Sequence, residues 1–354
     1  MITEDSFSKD HIMSIYSSSH RDPGLIERSI FAFGLLEALC KVGMDFIFKG
    51  GSSILLLLEH PMRLSTDIDI LVEPGTDIDS YIEMVSGIFP FLSYREVIRK
   101  GKNNIIKRHF KFTYESPVSN EPLFILLDVV FDESHYPVTI KKEIQNDILL
   151  TNGENLTVRV PSIDCLLGDK LTALAPHTTG IPLRQGKDME VMKQFYDIST
   201  LISRFEDFST VRKTYFSVSQ AEISYRGIPD ITPVDALDDT IKTCVCILSR
   251  GKLFREDYTN YLQGTRDVVQ HVFGERFSFE SAWMMAPRIM YLCSCLKTGN
   301  VFEPITNPEV YNNMRFEDET LSVLKGIRKS NPVGYAYLIK ADSQLTKTRV
   351  PGQA

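Results

Sequence analysis

The chain has 354 residues, 43% hydrophobic and 24% charged, ordinary proportions for a globular protein and more length than one hydrophobic core usually organises. Its net charge of −7 and pI near 5.6 exclude a molecule coated in positive potential, although a local basic patch can still serve a nucleic acid. No apolar run approaches the roughly 20 residues that span a bilayer, and no basic segment followed by an apolar stretch opens the chain, so neither a membrane span nor a secretion signal is expected.

Residues 1–21 are polar and Ser-rich and are expected to form a flexible N-terminus. Asp22-Pro23 has the form of a helix cap followed by proline at the first helical position. Leu25, Ile26, Ile30, Phe33, Leu36 and Leu39 then recur at helical spacing as far as Gly43. Phe46-Ile47-Phe48 is predicted as a short buried strand ending at Gly50-Gly51, followed by a helix from Ser52 to about His60 that Pro61 closes. Asp67 to Val72 alternates polar and apolar side chains at its start, which is a strand with one wet face. A helix over about 78–88 and two or three strands over roughly 94–114 and 123–131 follow.

Beyond Pro161 the periodicity is helical, with helices predicted at 162–175, 188–203, 235–250, 255–272, 279–297 and 317–328. The expected fold class is therefore α+β. A mixed sheet with flanking helices occupies 22–158, a mostly helical domain 159–342, and a flexible tail 343–354. The six cysteines include the pairs Cys244/Cys246 and Cys293/Cys295, whose Cys-x-Cys spacing does not match a zinc knuckle. Buried free thiols in a reducing cytoplasm are the expectation. The densest basic stretch, Arg99-Lys100-Gly101-Lys102 with Lys107, Arg108 and Lys111, reads either as a solvated hairpin or as a binding patch.

The chemistry concentrates between Lys49 and Asp128. Gly50 and Gly51, between a strand and a helix, let backbone amides approach a phosphate, and the helix N-terminus adds positive potential. Ser52 and Ser53 are candidates to donate to phosphate oxygens. Asp67 and Asp69, two apart on a strand, project from one face. Two carboxylates side by side repel, and a hard divalent cation, Mg²⁺ or Mn²⁺, relieves the repulsion while ligating nucleotide phosphates. The bland alternative is a pair of solvated strand-end acids. Asp128, alone among seven apolar residues in Phe124–Phe131, is the candidate third metal ligand, with a structural ion pair as its alternative and Asp132 as the runner-up.

These motifs resemble the nucleotidyltransferase fold typified by DNA polymerase beta. Within it they are most similar to the AbiEii/AbiGii abortive-infection toxin family. The likeness covers about residues 22–205. It rests on Lys49-Gly50-Gly51-Ser52, on Arg63-x-Ser65-x-Asp67-Ile68-Asp69, on Gly168-Asp169-Lys170-Leu171-Thr172-Ala173-Leu174, and on Phe195-Tyr196-Asp197-Ile198-x-x-Leu201. The resemblance implies that Lys170 contacts nucleotide phosphate and that Asp197 acts near the attacking hydroxyl, so that the helical domain completes the active site. Read from the residues alone, Lys170 sits at the edge of an apolar stripe, where snorkelling explains it equally well. The chain departs from the pattern in two places. Fifteen residues separate Gly51 from Asp67, and Gln194 stands where an acid is usual, which leaves Asp188 as an alternative to Asp197.

The expected activity is transfer of a nucleoside monophosphate from an NTP to an acceptor hydroxyl. The resemblance implies a toxin of a bacterial toxin–antitoxin or phage-defence system. Its acceptor would be a tRNA or other RNA, or a protein, and an antitoxin would be encoded nearby. A small-molecule nucleotidyltransferase and a non-catalytic nucleotide-binding interaction module are the alternatives.

Overall fold

The computed structural model describes residues 1–58, 60, 62–98, 105–273 and 276–348. The chain divides into two units, one comprising Met1–Leu166 with Gln270–Arg276 and the other Leu167–Val269 with Phe277–Ala354.

The first unit is built on seven strands: β1 (Ile47–Lys49), β2 (Asp67–Val72), β3 (Ser93–Glu96), β4 (Ile106–Glu115), β5 (Pro122–Phe131), β6 (Thr139–Glu143) and β7 (Thr157–Pro161). They form one mixed sheet in the order β3-β4-β5-β2-β1-β7-β6. β2 runs parallel to β5, and β1 parallel to β7, while β1/β2, β3/β4, β4/β5 and β6/β7 are antiparallel. Sequence patterning does not predict β6 and β7, because β6 is largely exposed and shows no apolar alternation.

Among the described residues, the α-helices of this part of the chain are α1 (Lys9–Ser19), α2 (Pro23–Lys41), α3 (Gly50–Leu57) and α4 (Asp79–Ser86). Asp22 caps α2 by accepting from the Leu25 amide, with Pro23 at the first turn, as its sequence predicts. α2 is buried on nearly all sides, which is why it is apolar around most of its circumference. Phe31 stacks on Tyr114 of β4 with ring centroids 3.8 Å apart, and Ser116 donates to the buried Glu27 carboxylate at 3.0 Å. The alternation of β4 and β5 points Phe110, Phe112, Tyr114, Ile125, Leu127 and Val129 into this core. Residues of opposite parity, including His109, Lys111 and Asp128, occupy the other face.

The first residues, expected to fray, are tied down instead. Ile2 bridges Thr151 and donates its amide to Glu37 at 2.7 Å, the Thr3 amide bonds Leu150 at 2.9 Å, and Ser8 caps α1. Backbone hydrogen bonds to a distant segment supply the order that local composition cannot signal.

The second unit is helical. α5 (Ile163–Ala173) leads into α6 (Asp188–Leu201), α7 (Phe208–Arg226), α8 (Pro233–Leu248), α9 (Arg255–Val268), α10 (Phe279–Thr298), α11 (Ile327–Ser330) and α12 (Pro332–Thr348). α7 and α12 are additions to the helices that periodicity predicts. The helix expected at 317–328 is instead a 3-10 turn, Glu319–Leu324, followed by the short α11. The tail expected from residue 343 stays helical as far as Thr348, and 349–354 lie outside the described residues.

Gly168 shows why α5 carries a glycine. A Cβ there would come within 2.7 Å of the Val211 carbonyl and 2.9 Å of the Tyr215 amide, so α5 and α7 cross at backbone contact. Asp239 of α8 is buried, and one of its oxygens accepts from the His177 amide at 2.7 Å and the Thr178 hydroxyl at 3.0 Å. Its other oxygen has no hydrogen-bond partner among the described residues, and burial pushes this carboxyl above its ordinary pKa against those two bonds.

All six cysteines are free thiols, five of them buried. Burial raises the Cys246 thiol to about 12, so it stays protonated and inert. No described helix is long and apolar enough to cross a membrane.

Candidate active site

The Gly-Gly turn and the carboxylates meet at the carboxyl end of β1 and the start of β2. Lys49, the last residue of β1, is the antiparallel partner of Asp69 on β2. Gly50 then takes φ +80°, a left-handed conformation open to glycine without strain, and starts α3. A Cβ on Gly50 would collide with Asp69 Oδ2, so the turn is pressed directly against that carboxylate. A Cβ on Gly51 would collide with Arg63 Nη2. Arg63 is buried and also donates to the Leu64 carbonyl at 3.0 Å, which places a guanidinium beside the turn. The Arg63 segment is held by a bridge to Val272 and by the Leu64 amide bonding the His271 carbonyl at 2.6 Å.

Ser52 and Ser53 are buried, and both hydroxyls serve the backbone. Ser52 donates to the Asp67 carbonyl at 2.5 Å, which ties α3 to β2, and Ser53 donates to the Gly50 carbonyl at 2.9 Å. The α3 backbone amides, not these hydroxyls, are the groups this geometry leaves for an anion.

Asp67 and Asp69 stand on one face of β2, Asp67 exposed and Asp69 half-buried. Parallel pairing with β5 makes Asp128 the register partner of Asp69. Partners on neighbouring strands are about 4.8 Å apart, so the two carboxylates are immediate neighbours. On the far side of β5, His109 of β4 is the register partner of Asp128, and its Nδ1 lies 2.6 Å from Asp128 Oδ1. The imidazole orients that carboxylate.

His109 is a site residue that the sequence does not disclose, because nothing in the spacing of residues 109 and 128 reveals that β4 pairs with β5 in this register. Asp132 is not part of the group. It lies four residues beyond Asp128, roughly 13 Å along the strand, and its amide bonds Val72 while its carboxylate pairs with His135 at 3.2 Å.

Carboxylates 67, 69 and 128 are the hard oxygen donors that Mg²⁺ or Mn²⁺ accepts. Among the described residues, no three His, Cys, Asp or Glu side chains stand close enough to hold a metal by themselves. An ion there would need phosphate oxygens and water beside the carboxylates to complete its shell.

In the helical unit, Lys170 of α5 and Asp197 of α6 form an ion pair at 3.0 Å, with side-chain exposures of 7% and 2%. The expected roles at phosphate and hydroxyl therefore fall on two residues that bind each other. Asp188 opens α6 about 13 Å along the helix from Asp197. It accepts from the Arg184 amide at 3.4 Å and from Asn260 at 3.0 Å, and it is a first-turn acid rather than the N-cap, which is Lys187. The basic run Arg99–Lys102 lies outside the described residues.

The family model described as nucleotidyl transferase AbiEii toxin, type IV TA system, matches residues 35–274. No curated protein matches the chain. Among solved structures the chain is similar to JHP933 from Helicobacter pylori, at 12% identity and a TM-score of 0.43, over 77% of this chain and 93% of that one. It is also similar to an antigenic nucleotidyltransferase-like protein from Paracoccidioides brasiliensis, at 17% identity and a TM-score of 0.35, over 66% of this chain and 94% of that one.

Proposed function

Because this chain belongs to the AbiEii nucleotidyltransferase toxin family, we propose that it transfers a nucleoside monophosphate from an NTP to an acceptor hydroxyl, releasing pyrophosphate. The observation that carries this reading is the convergence on Asp69 of the Gly50 turn, packed too closely against the carboxylate to admit a Cβ, and of Asp128 across the β2/β5 register. The amides opening α3 bind the triphosphate, and the half-positive helix end favours its charge. Asp67 and Asp69, with Asp128, would hold Mg²⁺ or Mn²⁺, whose charge would neutralise the α-phosphate and lower the pKa of the attacking hydroxyl. His109 fixes the orientation of Asp128 through the contact of its Nδ1 with Oδ1. For Lys170 and Asp197 the family motif implies roles at phosphate and at the attacking hydroxyl.

The acceptor is proposed to be an RNA, such as tRNA, or a protein, in the cytoplasm of a bacterium that also encodes a cognate antitoxin. Calorimetric titration of NTP with and without Mg²⁺ tests the reading. Binding should require the metal, and Asp69→Ala should abolish both binding and turnover at an unchanged melting temperature. Full activity in Asp69→Ala removes the assignment. Expression of the wild type should arrest bacterial growth, Asp69→Ala should not, and equal growth of the two would separate the fold from any toxic activity.

A further inference from the structure

The helical unit carries a cleft of about 650 Å³, walled by α8, α10, α12 and the 3-10 turn Glu319–Leu324, with Leu253 and Phe254 beside them. Its lining follows the helical period. Asp238, Ile241, Lys242 and Val245 of α8 stand at i, i+3, i+4 and i+7, so one stripe of that helix faces the cleft. Asp342, Leu345 and Thr346 of α12 repeat the pattern. Packed helices ordinarily close such seams to the density of an organic crystal. A volume of this size, lined mostly by aliphatic side chains with a few polar groups, has the dimensions of a small-molecule site, roughly 300–1,000 Å³.

The charges on the wall are not equivalent. Lys297 Nζ pairs with both oxygens of Asp238, at 2.6 and 2.7 Å. Asp342 is buried and accepts from the amides of Glu317 and Asp318. Asp318 in turn accepts from the amide and hydroxyl of Thr320, at 2.9 and 2.6 Å. Each acid on the wall is thus engaged by a donor of the protein itself. Lys242 differs: it is exposed, and among the described residues no acid stands within ion-pairing reach of its ammonium.

A second feature marks the rim. Phe254 is 47% exposed and holds φ +56°, in the left-handed region, where a bulky side chain is strained. The turn before α9 fixes it there. The Leu253 amide donates to Ser249 Oγ at 3.1 Å, and the Cys246 thiol to the Phe254 carbonyl at 3.2 Å. Strained residues of this kind persist at ligand clamps, and this one sets an aromatic ring beside an apolar cleft.

We propose that the cleft binds an amphipathic monoanion, its apolar body between α8, α10 and α12 and its carboxylate, or an equivalent single anionic head, at Lys242. Ile241, Val245, Met290, Leu321 and Leu345 supply the apolar wall, and Phe254 covers it. The single negative charge follows from the one cation left over once the wall's own pairs are matched. A cationic ligand would meet Lys242 and acids already engaged by the protein's donors. A fatty acid and an aromatic carboxylate share this chemistry. The site lies wholly within the helical unit and does not depend on the chemistry of Asp67, Asp69 and Asp128.

The test is calorimetric titration of the full chain with decanoate, with indole-3-acetate and, as the uncharged control, with 1-decanol. The wild type should bind one acid per chain, and the tighter of the two tells an acyl body from an aromatic one. Lys242→Met should weaken the acid about tenfold, the worth of one charge-assisted hydrogen bond, and leave 1-decanol unchanged. Leu345→Trp, which fills the cleft from half-buried α12, should abolish binding of acid and alcohol alike. Binding of a fluorescent NTP analogue should be unchanged in both variants.

No saturable binding of either acid by the wild type would overturn the proposal. So would equal affinity of Lys242→Met and the wild type, or binding that Leu345→Trp leaves undisturbed. Should Leu345→Trp fold poorly, photocrosslinking of a diazirine-bearing decanoate to the wild type decides. Adducts on α8, α10 or α12 support the cleft, and adducts elsewhere, or none, overturn it.

Discussion

Lys170 and Asp197 offer a way to separate a structural pair from a functional one. Each is almost wholly buried, and the two charges are 3.0 Å apart. Removing one partner takes from the other its 3.0 Å counter-charge in a buried place, at a cost of about 3–5 kcal/mol. For a unit of this size, 1 kcal/mol shifts the melting temperature by about 2–4 °C. Lys170→Met alone, or Asp197→Leu alone, should therefore lower the melting temperature by roughly 6–20 °C. The double substitution removes both charges and fills the space with apolar atoms, so it should recover most of that loss, since apolar replacement of a buried pair is often neutral or stabilising.

Thermal melts of the four proteins complete a double-mutant cycle, and NTP turnover on the same samples reads the chemistry. If the family-implied roles hold, the double variant melts close to the wild type and is inactive. A double variant that is stable and fully active would show that the pair only holds α5 to α6. Single variants that melt with the wild type would refute the buried pair itself.

Gly50→Ala should cost about 1–2 kcal/mol for a side chain in the left-handed region and displace the Asp69 carboxylate, which occupies the space of the new Cβ. It should abolish NTP binding in calorimetry with only a modest loss of melting temperature. His109→Ala should leave the fold intact and weaken metal-dependent NTP binding about 10–100-fold, while His109→Asn, which can still donate to Asp128, should recover part of it. Burial raises the Asp239 carboxyl above its unfolded value, so the native state keeps a proton that the unfolded chain has released. Stability from this group is present below the ordinary carboxylate range, near pH 4, and is lost as pH rises through the raised value. Asp239→Asn should flatten that fall in melts recorded across the acidic range, and an unaltered profile would show that Asp239 does not titrate there.

Local patterns carry much of the molecule. Alternation in Asp67–Val72 puts Asp67 and Asp69 on one face, and they are there. Two glycines between a strand and a helix announce the turn that β1 and α3 form around Gly50, and Asp22-Pro23 marks the start of α2. The change from a mixed sheet to helices is visible as a change of period from 2 to 3.6. Each of these is set by neighbours within a few residues, which is the range over which side-chain direction is dictated by the backbone.

What the sequence could not hold is which strand lies beside which. Asp128 becomes the neighbour of Asp69, and His109 the neighbour of Asp128, only through the β2/β5 and β4/β5 registers. A shift of one residue in either would turn the side chain to the opposite face. The same is true of Gly50 against Asp69, of Met1–Thr3 bonded to residues 150–152, and of Lys170 paired with Asp197. Strand pairing and helix crossing join residues far apart in the chain, through backbone hydrogen bonds and packing that every residue type can make. The chemistry-bearing residues are therefore written in the sequence one at a time, and only the tertiary structure makes them neighbours.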